Sequence, residues 1–125
     1  GQGHAWFQQA AAGLDWADLR GQALAALGYH SPNMALAHQH RLERSATASD
    51  QEAVATLVLS GQFVGFLPDH YAEAFVRRGQ MRAISSQTLR YDCRFSAILR
   101  QSPKPTRLTE AFFQVLCEAH GVPLG

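Results

Sequence analysis

Lysine is nearly missing from this chain: Lys104 stands alone against ten arginines. With abundant alanine, that bias points to a GC-rich bacterial genome. Cysteine is scarce too. Cys93 and Cys117 are too few for a disulfide scaffold, and they suit a reducing compartment at least as well as a single bridge. Neither has a partner at Cys-x-x-Cys spacing, and His-Glu-x-x-His does not occur. His38 and His40 lie two apart, which points them to different faces of a helix. No metal and no cofactor is therefore expected. Gly-x-Ser-x-Gly, a phosphate loop and a dinucleotide fingerprint are also lacking, so catalysis is not expected either. No apolar run approaches a membrane span, and the opening Gly1-Gln2-Gly3-His4-Ala5-Trp6 lacks the order of a signal peptide. The expectation is a cytoplasmic chain with no membrane partner. Charged residues make up only 17%, against roughly 25% in typical domains, which hints at a surface that normally meets another. Eleven basic and ten acidic side chains leave a formal charge of +1, so the chain itself is not expected to hold DNA.

What is present is enough for a core. Hydrophobic residues reach 46% of 125, which supports one domain at most, or part of a larger one. The opening without methionine favours a piece of a longer protein.

Strand and helix patterns alternate along the chain, which argues for βα units on a largely parallel sheet. Asp15 can cap a brief turn over Trp16 to Arg20, and Ala23 to Leu27 reads as a buried strand ending at Gly28. Pro32 suits the first turn of a helix running to about Arg41. Ser45 to Ala48 reads as extended. Ser49 and Glu52 form a Ser-x-x-Glu capping box for a helix carrying Val54, Leu57 and Val58, which Gly61 stops. Phe63-Val64-Gly65-Phe66-Leu67, closed by Pro68, reads as a strand buried on both faces. Asp69 is expected to cap a helix through Tyr71, Phe75 and Val76 that ends at Gly79. Met81 to Ile84 and Cys93 to Leu99 read as extended. Thr106 caps a last helix with an apolar stripe of Leu108, Phe112, Val115, Leu116 and Ala119, terminated by Gly121.

The passage Ala48 to His70, a capped helix ending in Leu57-Val58-Leu59-Ser60-Gly61 and then a buried strand ending in Leu67-Pro68, resembles the effector-binding domain of LysR-type transcriptional regulators. Gly3-His4 followed by Trp6-Phe7 resembles that family's crossover strand, though Ala5 replaces its usual proline. Gly79-Gln80-Met81-Arg82 resembles the family's Gly-x-Leu-Val step, and Ile98 to Pro105 with the Phe-rich helix resembles the closing strand and helix. The resemblance implies an α/β fold: a parallel-rich sheet flanked by helices, the second lobe of a type 2 periplasmic-binding-protein-like domain. Residues 1–90 would be that lobe. Residues 91–125 would be the returning strand and C-terminal helix, shaped to pack on a first lobe the chain lacks. It also implies a small, anionic effector bound between lobes, a dimer or tetramer, and DNA binding only through an absent N-terminal winged helix-turn-helix.

Half of the effector cleft would be built here. The loop Tyr29, His30, Ser31, Pro32, Asn33 joins a strand to a helix N-terminus, where free N–H groups and the helix dipole suit an anion. Tyr29 could wall the ligand, Ser31 and Asn33 could bond it, and His30 could add charge. The plainer account is that Ser31 or Asn33 merely caps. Ser49 and Asp50 could face the same cleft, or only cap their helix. Three other readings compete. They are a solute-binding protein of the same lobed architecture, a small α/β enzyme using Asp69, His70 or Cys93, and an association unit pairing through strand edges or the last helix.

Overall fold

The computed structural model describes residues 1–8, 13–29, 32–84, 87–93, 95–100 and 102–122, with the backbone alone at 32 and 33. Gly1–Asp92 and Cys93–Gly125 form two compact units.

In the first unit the elements in chain order are α1 (Trp16–Leu19), β1 (Leu24–Leu27), α2 (Pro32–Gln39), β2 (Arg44–Ala48), α3 (Gln51–Leu59), β3 (Val64–Gly65) and α4 (Asp69–Arg77). The sheet is parallel, in the order β2-β1-β3. All four residues of β1 are buried, as the run Leu-Ala-Ala-Leu requires of a central parallel strand covered on both faces. Because side chains alternate along a strand, β1 feeds two cores. Leu24 packs with Trp6, Leu19, Ala37 and Val64 on the α1–α2 side. Ala25 and Leu27 pack with Val54, Ala55 and Val58 on the α3 side. The expected α/β class, a parallel-rich sheet flanked by helices, is the fold observed.

Several local expectations need correction. The capping box at Ser49 and Glu52 is not formed. Asp50 is the N-cap of α3, its Oδ1 accepting from the Ala53 amide at 2.8 Å, because an ionised carboxylate is a stronger acceptor than a hydroxyl. Asp69 does not cap α4. The carbonyl of Pro68 starts that helix, and Asp69 sits in its first turn, where its charge meets the helix dipole. The strand expected over 63–67 pairs only at Val64–Gly65, since Pro68 has no amide to continue a ladder. Its alternation survives nonetheless: Val64 and Phe66 belong to one core, Phe63 and Leu67 to the other. Helix α2 stops at Gln39 rather than near Arg41, whose φ of 54° is left-handed. The Leu42 amide bonds back to the Ala37 carbonyl at 2.8 Å, the Schellman closure that satisfies the helix end. The segment after Gly3 is a 3-10 turn (Ala5–Phe7), not a strand, and no strand forms among the described residues of 81–84 or 93–99.

In the second unit, α5 (Arg107–Ala119) is capped as expected, Thr106 accepting from the Thr109 amide at 3.2 Å. Cys117 is buried, while Leu108 at 81%, Phe112 at 68% and Val115 at 61% exposure leave the expected stripe open.

Two glycines are fixed by their surroundings. Gly61 has a φ of 78°, and a Cβ there would lie 2.7 Å from the Gly3 Cα. A Cβ on Gly65 would lie 2.9 Å from a Val58 methyl and 3.1 Å from the Ala25 carbonyl oxygen, the close strand-to-helix approach that lets α3 cover β3. Gly61→Ala and Gly65→Ala should each destabilise the chain by about 1–3 kcal/mol, read as a lower urea midpoint at unchanged slope.

Candidate functional site

In an open parallel sheet, ligands bind beyond the carboxyl ends of the strands, where successive connections leave in opposite directions. That point lies at β1. The chain leaves β1 through α2 over one face to reach β2, then returns through α3 over the other face to β3 on the far side. The Gly28 amide donates to the Ala48 carbonyl at 2.8 Å, so the loops after β1 and β2 begin side by side.

These two loops carry the residues singled out from sequence. Tyr29, 53% exposed, stands at the bend after β1. His30 and Ser31 lie outside the described residues. Pro32 and Asn33 open α2. Ser49 and Asp50 form the exposed turn between β2 and α3, and the Ser49 hydroxyl donates to Asp50 Oδ2 at 3.4 Å. Asp50 already fills the position where the N-terminus of α3 would otherwise receive an anion.

A family model described as LysR substrate binding domain matches residues 1–121. The chain belongs to that family. Within it, the chain is a domain of transcription regulators, not of an enzyme class. The HTH-type transcriptional activator BauR of Pseudomonas aeruginosa is 31% identical over 115 residues, covering 92% of this chain and 38% of BauR. This LysR substrate-binding chain therefore spans less than half the length of that curated relative. No solved structure matches it. Among the described residues, no helix is long and apolar enough to cross a membrane, and no cluster of three or more His, Cys, Asp or Glu could hold a metal.

Sequence reasoning missed one feature of this domain. A cavity of about 210 Å³ lies beside β3, walled in part by Trp6, Phe63, Phe66, Val76 and Arg82. The signal was the Phe63 to Leu67 alternation, which reads as core on both faces and not as a wall. His4 also lines the cavity. Its Nδ1 accepts from the Trp6 amide at 3.1 Å, which only a ring unprotonated at that nitrogen can do. Burial also holds its pKa below the ordinary 6.5.

Two outcomes follow for this domain. Asp50→Ala should lower stability by about 1 kcal/mol through loss of the cap, measured by urea unfolding. A folded-state pKa below the unfolded value means the unfolded chain binds more protons under pH 6.5. Stability should therefore be full above that pH and fall as pH drops through it. A His4→Gln variant should lose part of that slope between pH 6.5 and 5, measured by thermal melts.

Proposed function

We propose that this domain is the ligand-sensing second lobe of a bacterial LysR-type transcriptional regulator acting in the cytoplasm, and that it binds a small anionic effector. The observation that supports this most directly is the sheet's switch point. The chain leaves β1 there through Tyr29, α2 begins at Pro32, and the Gly28 amide bonds the Ala48 carbonyl just before Ser49 and Asp50. Main-chain amides at the start of α2 receive the negative group, Tyr29 walls it, Ser31 and Asn33 hydrogen-bond it, and His30 adds charge. The Ser49 hydroxyl offers a further bond. The Asp50 carboxylate marks the negative edge that orients the ligand toward α2.

The open stripe of α5 supports the second half of the reading. Leu108, Phe112 and Val115 are exposed in this chain, and BauR is more than twice as long as the matched segment. Residues 91–125 accordingly return to a first lobe and cover it with this stripe. A winged helix-turn-helix outside the chain contacts DNA. The regulator works as a dimer or tetramer in which an effector that favours one spacing of the DNA heads shifts the population toward it.

The test is calorimetry of the two-lobed effector domain against a panel of small carboxylates, with Tyr29→Ala and Ser31→Ala beside the parent. Each change should weaken the best ligand about fivefold or more, as loss of a wall contact or one hydrogen bond does. Tight binding untouched by both changes would remove this loop from the site.

A further inference from the structure

The cavity beside β3 lies away from the Tyr29 loop and belongs wholly to the first unit. Its volume of about 210 Å³ exceeds the roughly 150 Å³ that admits benzene in an engineered apolar cavity, so a ring-sized body fits. Phe66 forms a flat part of the wall. Its ring is stacked 5.9 Å from Trp16 and meets Tyr91 edge-on at 5.5 Å, which fixes the orientation before any ligand arrives. Phe63, Ala72 and Val76 add apolar surface.

The charged side chains on the lining are Asp69, Arg82 and Arg90. Arg90 is neutralised by Asp92 at 3.3 Å. Arg82 spends one N–H on the Phe7 carbonyl at 2.9 Å and has no ion pair among the described residues. Asp69 has none either, and the two do not pair with each other. Both are exposed at the edge of an apolar chamber. Arg82 and Asp69 therefore put an unpaired cation and an unpaired carboxylate on one lining, beside the Gly1 amino group, and are matched by a ligand that carries both charges.

We propose that this cavity is a second small-molecule site of the domain, for a zwitterion with an apolar, ring-sized side chain, an aromatic or large aliphatic α-amino acid. The side chain lies against Phe63, Phe66 and Val76. The carboxylate meets the free guanidinium edge of Arg82, and the ammonium meets Asp69. This site is independent of the effector loop proposed above.

The experiment is calorimetry of the chain with three probes that share a ring and differ in charge: L-phenylalanine, 3-phenylpropionate and phenethylamine. Phenylalanine should bind in the millimolar range or tighter, and each singly charged probe should bind at least threefold more weakly. Arg82→Gln should bring phenylalanine down to the affinity of phenethylamine. Val76→Trp on one wall and Ala83→Phe on another should each abolish binding while far-UV circular dichroism and melting stay those of the parent. Tyr29→Ala should leave all three affinities unchanged. Absence of binding by all three probes, persistence of binding in a folded filled variant, or loss of it in Tyr29→Ala would each overturn the proposal.

Discussion

Strand β1 is the member on which the other elements converge. Its four residues are buried, it is hydrogen-bonded to a neighbour on each side, and its alternating side chains join two separate cores. Leu24 ties it to the α1–α2 layer, while Ala25 and Leu27 tie it to α3. The small side chain of Ala25, fully buried, lets α3 approach closely enough for Gly65 to touch Val58 and Val54. A polar substitution at any of these four positions would leave an unsatisfied group between two apolar layers. The same centrality makes the carboxyl end of β1 the place where the connections diverge, and so the rim on which a ligand-facing loop can sit.

The order of elements was legible because each was bracketed by strong local signals. Asp15, Thr106 and the glycines at 61, 79 and 121 act where their chemistry says they should. What misled were positions with two adjacent acceptors or with a competing proline. Ser49 next to Asp50 offers two caps, and the carboxylate prevails. Pro68 next to Asp69 offers a helix start without a side-chain bond. Strand length was overstated at 63–67 because an apolar run says that residues are buried, not that their amides find a ladder. Arg41 in the left-handed region was invisible because that conformation is usually signalled by glycine or asparagine.

The site was legible only in part, for a related reason. A loop between a buried strand and a helix that starts with proline can be placed from sequence, and Tyr29 stands after β1 and Pro32 at the start of α2 as that pattern has them. A chamber assembled from the start of the chain, single residues of α1, β1 and α3, the stretch around β3, the face of α4 and Met81 to Ile84 with Leu89 and Arg90 draws on many distant stretches. No spacing rule joins them. Family membership adds the class of regulator and leaves the chamber's chemistry to the residues that line it.

Helix α3 touches all three strands, starts at the Asp50 turn beside the Tyr29 loop and stops where Gly61 lies against Gly3. Nine residues of helix make a rod of about 14 Å, and a one-piece rod does not bend at that length. Two glycine backbones abut at its far tip, where no side chain separates them. The opening stretch that carries His4 and Trp6 is thus seated on the end of α3, and a side chain at position 61 would push it away.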